Sequence, residues 1–211
     1  MNFTRKNSRN IASFISGVLA ALVITSSASA APLYTFTNAP DAMDGNYTFE
    51  QKFTVGGADI VINSLGFYDY LQNGLSSSHL VGVFDSRGRL VISTTISAGT
   101  GNQLNYGFRW QGIANTVLSG GSTYSLISQG NGDPHNMVPG LVLNPKVTSM
   151  EGGYVGGTIF DPTLITTSRD NIIWTGNFNI LDTQVPEPAS LALLGLGLIS
   201  LALSSKKRKQ A

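Results

Sequence analysis

The side chains able to do chemistry are few and widely spread. There are two histidines, His79 and His135, and no cysteine. A zinc site or an acyl-transfer triad needs further partners at fixed spacing, and none accompanies either histidine. The lack of cysteine removes thiol nucleophiles, thiolate metal sites and disulfides together. His79 follows Ser76-Ser77-Ser78 at the start of a strand pattern, a position that suits local hydrogen bonding better than catalysis. His135 belongs to Asp133-Pro134-His135-Asn136, in a stretch rich in Gly and Asn. Loops of this kind often carry sites on rigid β scaffolds, but the composition is first that of a solvated turn.

No Gly-x-Ser-x-Gly elbow, His-Glu-x-x-His helix or Ser-x-x-Lys helix occurs, so the common hydrolase templates are missing. Glycosidase carboxylates pair in space, not in sequence, and spacing alone does not dismiss them. Glu50 and Glu151 are the only glutamates between residues 31 and 184. We assign no catalytic residue, no metal site and no cofactor. Asp41, Asp44, Asn46 and Glu50 offer the hard oxygens that calcium prefers, at a spacing that does not fit an EF-hand loop. Trp110, Trp174, Tyr68, Tyr70 and Tyr124 would make a platform for sugar rings if several faced outward, although a small β domain needs most of them for its core.

The elements that must position these residues are strands. From Tyr34 to Ile180 no apolar pattern at helical spacing exceeds two turns, while alternating and β-branched runs recur between Gly, Asn and Ser clusters. The expected strands are Tyr47 to Val55, Ile60 to Tyr68, His79 to Asp85, Leu90 to Ile96, Asn105 to Gln111, Thr123 to Gln129, Leu141 to Leu143, Lys146 to Met150 and Ile172 to Ile180. They suit an all-β, antiparallel, jelly-roll-like sandwich. In the first of them Tyr47, Phe49, Phe53 and Val55 share one face, and Thr48, Glu50, Lys52 and Thr54 share a face expected to be wet. Asp85-Ser86-Arg87-Gly88 reads as a hairpin turn in which Gly88 supplies a positive φ, and Gly120-Gly121 as a turn feeding a strand.

The two ends differ from this middle. A basic stretch with Arg5, Lys6 and Arg9, an apolar run from Ile11 to Ile24 and the small-residue stretch Thr25 to Ala30 follow the plan of a secretory signal peptide. Ala28-Ser29-Ala30 suits a signal peptidase pocket, which places cleavage between Ala30 and Ala31. The apolar run has 14 residues, against the roughly 20 that span a bilayer. At the other end Val185-Pro186-Glu187-Pro188 leads into an apolar stretch, Ala189 to Leu203, and then Lys206, Lys207, Arg208 and Lys209. As a helix that stretch is about 22 Å long, short for a hydrocarbon core of about 30 Å. The basic cluster holds its end in the cytoplasm, so the preceding domain lies outside. The chain divides into a signal peptide (residues 1–30), an exported domain (31–184) and a C-terminal tail (185–211), with a helix expected at each end. The exported domain has six Lys and Arg against eleven Asp and Glu, a net charge of −5. Its scattered cations lack the basic face that nucleic acid requires.

Pro186-Glu187-Pro188, the short apolar stretch and the terminal basic cluster resemble the PEP-CTERM sorting signal of Gram-negative bacteria, over about the last 27 residues. The resemblance implies recognition at Val185 to Pro188 by an exosortase-type membrane peptidase, membrane anchoring through the C-terminal helix before processing, and delivery to the cell surface or extracellular matrix. It also implies company with extracellular polysaccharide and biofilm. Val61 to Asp69, Leu75 to Asp85, Gly88, Leu90 and Gly120 to Tyr124 resemble a β-sandwich domain of unknown function recurrent in such proteins, over roughly Phe49 to Gln129. Residues 130–183 depart from that pattern. The functional expectation is a non-catalytic surface protein that binds or organises extracellular polysaccharide. The alternatives are a surface glycan hydrolase or lyase, and a matrix protein that self-associates through exposed sheet edges. N-terminal sequencing of the processed protein is expected to begin Ala31-Pro32-Leu33; a start at Met1 would replace cleavage with an uncleaved anchor.

Overall fold

A computed structural model of the chain describes residues 29–36, 42–43, 45–137, 140–167 and 173–182. The strands are β1 (Ser29–Pro32), β2 (Tyr34–Phe36), β3 (Ala42–Met43), β4 (Tyr47–Val55), β5 (Ile60–Tyr68), β6 (His79–Asp85), β7 (Leu90–Ile96) and β8 (Gln103–Asn105). They continue as β9 (Phe108–Leu118), β10 (Thr123–Gln129), β11 (His135–Met137), β12 (Leu141–Leu143), β13 (Val147–Gly156), β14 (Thr166–Thr167), β15 (Ile173–Trp174) and β16 (Gly176–Asp182). One sheet has the order β1-β16-β5-β9-β8 and the other β14-β13-β4-β10-β6-β7; β15-β11-β3 and β12-β2 form small accessory sheets. All the pairings are antiparallel.

The two large sheets pack face to face over one apolar core. Phe53 and Val55 of β4, Val81 and Val83 of β6 and Leu126 of β10 meet Ile62, Leu65 and Phe67 of β5, Phe108 of β9 and Phe178 and Ile180 of β16. Phe53 and Phe178 bridge the sheets with ring centroids 5.0 Å apart. Each such side chain contributes roughly 1.5–3 kcal/mol by leaving water. Leu33 and Tyr34 are also fully buried, and Tyr34 sets its ring edge-on to Phe108 at 5.6 Å. The chain's first described segment is therefore part of the core.

Six expected strands match the observed ones end to end: β4, β5, β6, β7, β10 and β12. The hairpin turn forms as expected: the N–H of Gly88 donates to the carbonyl of Asp85 at 2.9 Å, with Gly88 at φ +75°. Three expectations need correction. The single strand Asn105 to Gln111 is two strands, because Tyr106 and Gly107 adopt φ 53° and 79° and turn the chain back. β13 runs to Gly156, past Met150, because a paired strand on either side carries its backbone through the weak Gly152-Gly153 stretch. Ile172 to Ile180 divides at Thr175 into β15 and β16, which join different sheets; Ile172 itself lies outside the described residues.

The outer face of β4 is wet only in part, at Lys52 and Thr54. Thr48 and Glu50 are buried because residues 157–165 cross that face as a strap. Its Gly157 carbonyl accepts from Thr48 Oγ1 at 3.0 Å, and its Thr158 carbonyl accepts from Gln129 Nε2 at 3.0 Å. Phe160 and Ile165 then build a second, smaller core with Phe84, Ile127 and Val155. The expected signal helix and C-terminal membrane helix lie outside the described residues, apart from Ser29 and Ala30, which are strand. No helix among the described residues is long and apolar enough to cross a membrane.

Gly82 of β6 lets the strap approach. A Cβ there would lie 2.6 Å from Phe160 Cζ and 3.1 Å from the carbonyl oxygen of Ile92. Gly82→Ala is expected to cost about 1–3 kcal/mol in denaturant unfolding through overpacking. The cost is expected to shrink in a Phe160→Ala background. Equal costs in both backgrounds would mean that the strap does not pack on Gly82.

Candidate functional site

His79 starts β6 and is fully buried, stacked on Phe67 with centroids 3.7 Å apart and planes 9° from parallel. Its Nδ1 faces the carbonyl oxygen of Gln129 at 2.8 Å and its Nε2 faces Asp133 Oδ2 at 2.7 Å. Both ring nitrogens are thus engaged by oxygen atoms inside the protein. Asp133 also accepts from the N–H groups of Ser76 and Ser77 at 2.9 and 3.0 Å. Burial pushes its carboxyl upward, but the donations from Ser76, Ser77 and His79 outweigh this and hold it below the ordinary carboxylate range. The turn around Asp133 is thus no solvated loop: Asp133 is 6% exposed, and its bonds are spent inside the protein. The backbone of His135 lies in β11.

A second buried pair fixes the other side of the same loop. Arg109 Nε donates to Asp69 Oδ2 at 2.7 Å. The guanidinium also reaches the carbonyls of Thr100, Asn102 and Gln72, while Asp69 accepts from the N–H of Gly74. Leu71 and Gln72 are held at φ 63° and 58°, a conformation costly for such residues. The loop from Asp69 to Ser78 is clamped by one carboxylate at each end. Neither pair leaves a reactive atom facing solvent, so both are structural.

The strap leaves a cleft of about 430 Å³ against the outer sheet face. β4 contributes Glu50 and Lys52, β10 contributes Thr123 and Ser125, the hairpin turn contributes Asp85 to Gly88, and the strap contributes Pro162 and Thr163. Glu50 is 1% exposed. Its Oε1 accepts from Ser125 Oγ at 2.5 Å and lies 4.0 Å from Lys52 Nζ, while its Oε2 has no hydrogen-bond partner. Asp85 is saturated: it accepts from the N–H groups of Arg87 and Arg89 and from the Arg89 guanidinium at 2.7 Å. Those Arg89 and Arg87 donations hold its carboxyl below the usual range. The side chain of Arg87 has no partner among the described residues. Sequence spacing could not reveal this cleft, because its parts come from four separated segments.

The other expected residues come together only in part. Tyr68, Trp110 and Tyr124 are buried at 5%, 7% and 8% exposure, and Tyr70 is half-buried; these aromatics form core and no sugar platform. The side chain of Trp174 lies outside the described residues. So do Asp41 and Asp44, while Glu50 is turned into the cleft and Asn46 is exposed. No group of three metal-ligating side chains occurs among the described residues. Ala28, the sorting residues Val185 to Pro188 and the basic residues Lys206, Lys207, Arg208 and Lys209 lie outside the described residues. Ala30 and Ala31 are in β1, opposite Leu181 and Ile180. β1 pairs only with β16, the last described strand, so its partner comes from the far end of the described domain.

Asp133→Asn is expected to lower stability at neutral pH by about 2 kcal/mol, since His79 and two N–H groups lose a charged acceptor. The depressed carboxyl gives the wild type stability that is complete above the unfolded value of about 3.9 and is lost as pH falls from there through the lower folded value. Acid titration of the variant is expected to lack that component. An identical acid limb in both proteins would contradict the assignment.

No curated protein and no solved structure matches the chain. Residues 184–209 match the PEP-CTERM protein-sorting motif. The match implies a protein that is exported, sorted to the cell surface and processed by an exosortase, the tail abutting β16 with only Thr183 and Gln184 between Asp182 and Val185.

Proposed function

We propose that the exported domain is a non-catalytic module that binds or organises extracellular polysaccharide at the cell surface or in the surrounding matrix. The observation that carries this reading is a cleft lined by charged and hydroxyl side chains on a rigid sheet face of a surface-sorted protein. Hydrogen-bonding groups held on strands suit recognition of a polyhydroxylated polymer. In this scheme signal peptidase removes residues 1–30, the C-terminal helix holds the domain at the membrane, and the sorting peptidase then acts at Val185 to Pro188.

Two observations favour other readings. Glu50 and Asp85 line one cleft, as a glycan hydrolase or lyase would require. Against this, Asp85 is saturated by the Arg87 and Arg89 donations, and its depressed carboxyl makes a poor proton donor. Leu90 and Val91 are exposed on β7, an edge of the six-stranded sheet, where a second copy could pair.

Co-sedimentation with the host's own extracellular polysaccharide, with and without chelator, distinguishes the three. Saturable pelleting with polymer of unchanged length is expected, and its loss on chelation would add calcium as a partner. Shortening of the polymer would make the protein an enzyme. Concentration-dependent pelleting without polymer would favour self-association, and no pelleting at all would remove the matrix reading.

A further inference from the structure

We infer that the cleft between the strap and the outer sheet face binds a carboxylate-bearing sugar, a uronic acid unit of an acidic polysaccharide, through Lys52 and Arg87. The inference rests on the matrix-binding reading and gives it a place and a ligand class.

The exported domain is net negative, with six cations between residues 31 and 184. Two of the six, Lys52 and Arg87, line this one cleft. Arg109 is consumed by Asp69 and Arg89 by Asp85. Arg87 is exposed and its guanidinium has no partner among the described residues. Lys52 is 42% exposed at its side chain and meets its carboxylate only at 4.0 Å. The cleft's cations are therefore its unspent groups, whereas Asp85 is fully used.

The same lining restricts which anion fits. Glu50 and Asp85 lie beside the cations and repel a doubly charged phosphate more strongly than a singly charged carboxylate. Glu50 Oε2 is a buried acceptor without a hydrogen-bond partner, and a buried polar atom left so is costly. A sugar acid carries hydroxyl donors next to its carboxylate and can serve both kinds of group at once. Oε2 is screened from solvent, so the cations make the first contact. A guanidinium and a carboxylate pair through two parallel hydrogen bonds, which favours Arg87 over a lysine for fixing the ring.

The test uses the full chain in detergent, with polygalacturonate, its methyl ester and single-stranded DNA as probes, read by isothermal titration. Polygalacturonate is expected to bind, with its methyl ester and the DNA each at least about tenfold weaker. The Lys52→Ala/Arg87→Ala double variant is expected to lose about tenfold or more, and Arg87→Lys to retain part of the affinity. Both substituted side chains are solvent-facing, and an unchanged unfolding midpoint checks the fold. Equal affinity for the ester, equal affinity for DNA, or an unaffected double variant would each overturn the inference. Host polysaccharide that still pellets with the double variant would sink the cleft and leave the matrix reading standing. Polygalacturonate binding that depends on the two cations, without pelleting of host polymer, would keep the cleft and remove the matrix reading.

Discussion

Glu50 is buried in the middle of a central strand whose outer face is covered at one end, and the arrangement of the domain follows from that cover. The inner face of β4 carries Phe49, Phe53 and Val55 into the core, while its outer face carries Thr48, Glu50, Lys52 and Thr54. Neighbouring strands put Phe84 and Ile127 on the same outer face, and these need an apolar cover that water does not give. Residues 157–165 supply it through Phe160 and Ile165. Past those apolar side chains the strap presents Pro162 and Thr163 toward Glu50 and Lys52 and leaves a cleft there. The apolar packing at one end of this face and the cleft at the other both come from one crossing segment.

The opposite problem arises at the loops. Without disulfides or described long helices, the long connection from Asp69 to Ser78 has little apolar surface with which to fix itself. Two buried carboxylates do so instead, Asp69 with Arg109 and Asp133 with His79, each also binding backbone N–H groups of the loop. Such pairs are strongly destabilising to break even where their net gain over apolar residues is small. They specify the loop's path, and His79 is buried with both ring nitrogens engaged in doing so.

β16, the last described strand, lies between β1 and β5, so the sheet joins the first and last described segments of the chain. Ala31 lies opposite Ile180 and Pro32 opposite Asn179, so the start of the domain pairs with the strand near its end.

Much of the strand pattern was legible in the residues because alternation and turn chemistry are local: β4 to β7, with Gly88 at their hairpin, follow from spacing alone. The sorting tail was legible for the same reason, since a motif, an apolar stretch and a basic cluster are contiguous. The turn at Tyr106-Gly107 was not, because a positive φ at a tyrosine has no strong sequence signal. Nor was the continuation of β13 through Gly152-Gly153, which is held by its neighbours on both sides. The burial of Glu50, the use of Asp133 by His79 and the meeting of Lys52 with Arg87 were decided only by tertiary structure. Each depends on segments tens of residues apart, and in sequence their polar character reads simply as exposure to water. What the residues determined alone was the local pairing units and the sorting tail; which polar side chains are enclosed, and with whom, is decided by the strap at Glu50 and by the Asp69–Ser78 loop at Asp133 and His79.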